Sequence, residues 1–147
     1  MPLERVSRGS QELALPVRDP RWAQRELLSH NPLFSGLATT QVDELAGASR
    51  LLKLDAHECL FRAGQPIRSA HLLVSGTVKR STVLAGRREK IIELVQTPQV
   101  LALGEIFAIS RYACSAKTIT PCILVTLDMA KLRALIRQDL DLSWRII

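Results

Sequence analysis

Aromatic side chains make up only 4% of this 147-residue chain: three Phe, two Trp and one Tyr. Its core has to be packed mainly by Leu, Ile, Val and Ala, the bulk of a hydrophobic fraction of 47%. That length suits one domain with a genuine core. Cysteine is also scarce. Cys59, Cys114 and Cys122 are an odd number without CxxC spacing, which argues against a disulfide framework and for a reducing compartment. No apolar run reaches the roughly 18 residues that span a bilayer. Met1-Pro2-Leu3-Glu4-Arg5 opens without the apolar stretch of a secretory signal. The expectation is a soluble cytoplasmic protein with no membrane partner.

Catalytic signatures are missing too. There is no G-x-S-x-G elbow, P-loop or HExxH. The three histidines stand alone, so the His-x-His pair with a nearby carboxylate that a cupin-type metal site needs is absent. No catalytic residue and no metal ligand set is assigned, and the chain is read as a non-enzyme. The net charge of +6 is spread over Arg62, Arg68, Lys79, Arg80, Arg87, Arg88, Lys90, Arg111, Lys131, Arg133 and Arg137. It forms no dense basic tract with interleaved aromatics of the kind that stacks bases. Solvated strand edges and helix faces account for it.

What is present is punctuation. Between Leu60 and Gly104, four glycines (Gly64, Gly76, Gly86 and Gly104) each close a short β-type segment. Glycine takes φ > 0 without steric cost, so this regular spacing predicts tight corners between short strands, a β-roll. Strand-length, turn-bounded runs occur at Leu51–Leu54, Cys59–Phe61, Ala70–Val74, Thr77–Leu84, Glu89–Val95, Ser115–Thr120 and Cys122–Leu127. Pro121 divides the last two, because proline cannot sit mid-ladder. Helical signals flank this β portion. Asp19-Pro20 starts one that Asn31-Pro32 breaks, and a second follows Thr39-Thr40 and closes at Gly47. Met129, Leu132, Leu135 and Ile136 recur at helical spacing opposite Lys131, Arg133 and Arg137. Asp139 or Asp141 would cap one more helix containing Leu142, Trp144, Ile146 and Ile147. The chain stops inside that helix, which suggests a cut from a longer protein.

The span from about Asn31 to Ile147 resembles the sensory half of the CRP/FNR superfamily of bacterial transcription regulators. The motifs that carry the resemblance are Leu33-Phe34-Ser35-Gly36-Leu37, Leu60-Phe61-Arg62-Ala63-Gly64, Leu73-Val74-Ser75-Gly76-Thr77-Val78 and Gly104-Glu105-Ile106. The spacing is closest to the DNR-like branch. The resemblance implies a mainly β fold with flanking helices, a double-stranded β-helix (jelly-roll) of the cyclic-nucleotide-binding type. Residues 1–18 are then a flexible N-terminal arm. Residues 19–147 hold the N-terminal helices, the sensory β-roll and the start of a dimerisation helix, with the DNA-binding domain absent.

The same resemblance supplies site candidates. Gly104, Glu105, Arg111 and Ser115 fall in the phosphate-binding cassette, where a short helix and an arginine would hold a cyclic phosphate. The cassette departs from the family pattern. It is several residues short, Arg111 is one residue out of register, and bulky Tyr112 stands where a small residue belongs. Hydrogen bonds to charged groups contribute about 1.5–3 kcal/mol, so roughly ten- to hundredfold in affinity depends on that arginine's placement. Tyr112 and Phe107 would fill volume that a nucleotide otherwise takes. In the DNR-like branch haem is the other effector, for which His30 and His71 are the candidate ligands. No cysteine precedes Cys59, which argues against an N-terminal iron–sulfur centre. The cofactor stays open between a cyclic nucleotide, haem and none.

Two functions follow. In the first, a small-molecule effector enters the β-roll and shifts it against the C-terminal helix, which pairs two copies and carries a DNA-binding module only in the intact protein. In the second, the domain is degenerate, binds no small ligand, and serves dimerisation or partner contact through its C-terminal apolar residues.

Overall fold

The computed structural model describes residues 11–12, 22–96, 98–102 and 110–139. Helix α1 runs Trp22–His30 and buries Leu28 while Trp22 stays half exposed at 49%. Asn31 then ends the helix: its side-chain Oδ1 accepts from Leu33 N at 2.9 Å, a local bond that competes with helical pairing. Helix α2, Thr39–Gly47, opens one residue earlier than a threonine cap would place it. Ala38 takes the cap position, and Gln41 Oε1 accepts from the Ala38 backbone N–H at 2.9 Å.

Nine strands occur among the described residues. They are β1 Gln11–Glu12, β2 Ser49–Leu54, β3 Cys59–Phe61, β4 Ser69–Ser75, β5 Val78–Val83, β6 Glu89–Val95, β7 Gln99–Val100, β8 Ser115–Thr118 and β9 Cys122–Asp128. Helix α3, Met129–Gln138, closes the described chain. The strands make two antiparallel sheets in the orders β1-β2-β9-β4-β7 and β3-β8-β5-β6. This is the mainly β jelly-roll with flanking helices that the glycine punctuation and the resemblance imply. Two short strands escape the sequence pattern. β7 is only two residues long, and β1 lies within the segment read as an arm, where Gln11 and Glu12 pair with Lys53 and Leu52. The rest of residues 1–18, Asp19-Pro20, and the helix expected beyond Asp139 lie outside the described residues.

The first sheet is buried on both faces. Strand β9 pairs with β2 on one edge and β4 on the other, so residues line up in rows across three strands. Arg50, Thr126 and His71 form one row, and Leu51, Val125 and Leu72 form the next. Period-two alternation sends adjacent rows to opposite faces. The Leu51 row turns toward α1, α2 and α3, which pack on β2 and β9, and the Arg50 row faces the second sheet. Helix α3 starts where β9 ends. Asp128 caps it, its carboxylate accepting from Lys131 N at 3.0 Å, and Met129, Leu132 and Leu135 are buried.

Three of the four expected glycine corners are described, and all have positive φ: Gly64 at 90°, Gly76 at 99° and Gly86 at 80°. Gly104 lies outside the described residues. Gly76 carries a second constraint. A Cβ added there would collide with the Pro121 carbonyl oxygen and lie 2.6 Å from Cys122 Sγ. At Gly64 nothing lies within 4 Å of an added Cβ. Gly76→Ala is therefore expected to lower stability by about 3 kcal/mol, from strain plus overpacking. Gly64→Ala carries strain alone, about 1–2 kcal/mol. Urea unfolding of both variants checks the order; equal losses would contradict it.

Candidate functional site

A cavity of about 370 Å³ opens between the two sheets at the end where β3 faces β4 and β9. Its floor is the cross-strand row Arg50, Thr126 and His71. Its opposite wall is aromatic. Phe61 stacks on Tyr112 at a centroid distance of 3.7 Å and on His71 at 5.9 Å. Tyr112 is held in this position from both ends. Its hydroxyl donates to Ser69 O at 2.9 Å, while its backbone N–H donates to Gln65 O at 3.0 Å. The bulky residue at the cassette position therefore packs into the core and lines the cavity without closing it.

The rim comes from the turn after β3. Gln65 Oε1 accepts from Arg62 N at 2.9 Å, and Gly64 N donates to Tyr112 O at 2.8 Å. These bonds set the β3–β4 corner against residues 110–112 and bring Arg62 and Arg68 to the edge of the cavity. Thus the lining holds three arginines, Arg50, Arg62 and Arg68, and among the described residues no acidic side chain.

His71 is buried, with Nδ1 3.0 Å from Thr126 Oγ1. Its pKa is pushed down to about 4, first by burial and second by the Arg50 guanidinium. The imidazole is neutral at pH 7. It accordingly adds no charge to the arginines and offers a hydrogen-bonding group to whatever enters.

The sequence candidates are distributed as follows. Gly104 and Glu105, with Phe107, lie outside the described residues. Arg111 is exposed, and its guanidinium donates to Gly64 O at 2.8 Å. Ser115 is half-buried, its Oγ accepting from Ala63 N at 2.9 Å. Both cassette residues thus brace the β3–β4 corner. His30 ends α1 with its side chain 79% exposed and Nδ1 2.7 Å from Glu26 O. It does not line the cavity, where His71 is the single histidine, so the lining fits one imidazole and no histidine pair. No group of three or more His, Cys, Asp or Glu placed to hold a metal occurs among the described residues.

Arg50 and Arg80 escape the sequence reading. Arg80, taken as a surface charge, is buried in β5 with its guanidinium 3.2 Å from Glu93 of β6. The signal was there: period two places Arg80 on the face of fully buried Val78.

The family model described as cyclic nucleotide-binding domain matches residues 51–139. The sensor domain of the transcriptional regulator DNR from Pseudomonas aeruginosa superposes with a TM-score of 0.78 at 25% identity, covering 86% of this chain and 85% of that one. A longer DNR structure from the same organism gives a TM-score of 0.78 at 26% identity, covering 88% of this chain and 57% of that one. The Thermus thermophilus catabolite activator protein shares the fold, with a TM-score of 0.64 at 23% identity over 79% of this chain and 54% of that one. No curated protein matches the sequence. No helix among the described residues is long and apolar enough to cross a membrane.

The depressed His71 pKa sets a stability window. In the unfolded chain this imidazole takes a proton near pH 6.5, whereas in the folded chain it resists until about pH 4. Between those values the unfolded state binds the extra proton, so stability falls as pH falls, by up to about 3 kcal/mol. Urea midpoints measured from pH 7 to pH 4 are expected to drop in the parent chain and to drop less in His71→Gln. Parallel slopes would contradict this assignment.

Proposed function

The chain belongs to the cyclic nucleotide-binding domain family, and on that premise we propose that it is the ligand-sensing regulatory domain of a CRP/FNR-type transcription regulator. A small effector occupies the cavity on the Arg50–Thr126–His71 row. The intact regulator works in the cytoplasm as a homodimer paired through its C-terminal helix, and DNA is a partner of that intact protein. The role is binding and relay, with no catalytic step.

One observation carries this reading: the cavity is wired to the start of α3. Thr126 on the floor sits two residues before Asp128, whose side chain caps the helix. Arg68 on the rim accepts a backbone hydrogen bond from Met129 N, the first helical residue, at 3.2 Å. Asp128 N donates to Ala48 O at 3.0 Å, beside the strand that carries Arg50. An effector that moves β2, β4 or β9 against one another therefore changes the bonds that seat α3. Such a ligand shifts the helix only by as much as it prefers one seating over the other.

The degenerate reading separates cleanly in a thermal-shift panel of cyclic AMP, cyclic GMP, haem and small organic acids. Sensing predicts that at least one class raises the melting temperature by about 4 °C or more, roughly 1 kcal/mol of linkage. It also predicts that this ligand changes amide exchange at Met129–Lys131. A flat panel would leave the ligand-free dimerisation role instead.

A further inference from the structure

We propose that the cavity is an oxyanion site for a small organic acid, a phosphate ester or carboxylate carrying a flat apolar body. The proposal rests on the sensing reading for its purpose and on the cavity's own chemistry for its content.

Three basic side chains elsewhere in the fold are paired with acids. Arg25 lies 3.4 Å from Asp43, Lys79 lies 2.9 Å from Glu89, and Arg80 lies 3.2 Å from Glu93. Among the described residues, the guanidinium groups of Arg50, Arg62 and Arg68 make no ion pair or hydrogen bond, although all three line one cavity. Arg50 is half-buried within it, and Arg62 and Arg68 stand exposed at its edge. A bound oxyanion satisfies donors that a planar guanidinium presents as a fork.

The remaining surface specifies the other half of the ligand. Phe61 and Tyr112 form a stacked aromatic wall, and Leu52 and Leu60 add aliphatic area. The volume, about 370 Å³, lies in the range of small-molecule sites. Thr126 and His71 supply short-range hydrogen bonding at the floor. A bare inorganic ion would leave the aromatic wall unused, and a neutral aromatic would leave the arginines unanswered. This site is separate from Arg111 and Ser115, which bond to the β3–β4 corner and do not line the cavity.

The test is titration of the whole chain with phenyl phosphate, with benzoate and with uncharged phenol, followed by amide NMR shifts and calorimetry. Saturable shifts are expected at Arg50, Phe61, His71 and Thr126 for both anions, with phenol binding about tenfold more weakly or worse. Arg50→Gln is expected to weaken phenyl phosphate binding by about tenfold, the scale of one charge-assisted hydrogen bond. Arg68→Gln, at an exposed position, gives the same direction if Arg50→Gln fails to fold. Arg87→Gln, in the hairpin turn, serves as the control and is expected to change binding less than about twofold. Phenol binding equal to phenyl phosphate, shifts confined to Arg111 and Ser115, or no saturable binding would overturn the site. Failure of the two readings is distinguishable. Stabilisation by haem alone keeps sensing and rejects the anion cavity. Phenyl phosphate on the Arg50 row with unchanged exchange at Met129–Lys131 keeps the cavity and rejects the relay.

Discussion

Strand β9, hydrogen-bonded along both edges, is the constraint on which the rest of the structure depends. Its pairing with β2 and β4 fixes the row that floors the cavity and, one residue away, the row that packs under the helices. A slip of one residue would exchange Thr126 for Val125 in the cavity and send a hydroxyl into the core. The same strand delivers Asp128 to the N-terminus of α3, so sheet register and helix seating are one geometric fact. Gly76 protects that register from the side. It lets the β4–β5 corner approach Pro121 and Cys122 closely enough that no side chain fits between.

The cavity exists because two opposing demands meet there. Aromatic stacking of Phe61 and Tyr112 closes the hydrophobic core, and both rings are buried. Behind them the floor row carries a cation, a hydroxyl and an imidazole where the neighbouring row carries Leu51, Val125 and Leu72. Polar groups in such a position weaken the fold relative to aliphatic ones unless something satisfies them. His71 responds by staying neutral and bonding Thr126. Arg50 is half-buried, and its guanidinium makes no ion pair or hydrogen bond among the described residues. Stability given up at such a row is the trade that functional sites commonly make.

Much of the architecture was legible in the sequence because its signals are local. Glycine corners at Gly64, Gly76 and Gly86, the divider at Pro121 and the period-two runs placed the long strands to within a residue or two. The helical spacing of Met129, Leu132 and Leu135 did the same for α3. β1 and β7 were illegible because two-residue strands have no period to read; their partners in space define them. The site was less legible than the fold. The resemblance drew attention to the cassette, where Arg111 and Ser115 are engaged with the β3–β4 corner. Arg50 gave no local signal, since its importance arises from lying beside Thr126, 76 positions along the chain, through a strand pairing. Tyr112 was visible as an anomaly, whereas its stacking on Phe61 and its place in the cavity wall come from the fold.

The position of a bound ligand separates the cavity from the cassette. Crystals of this chain soaked with 4-bromophenyl phosphate and measured at the bromine absorption edge would locate it through anomalous scattering. The account predicts a bromine peak beside the Phe61–Tyr112 wall, with the phosphate oriented toward Arg50. A peak beside Arg111 and Ser115, with the Arg50–Thr126–His71 row vacant, would contradict it.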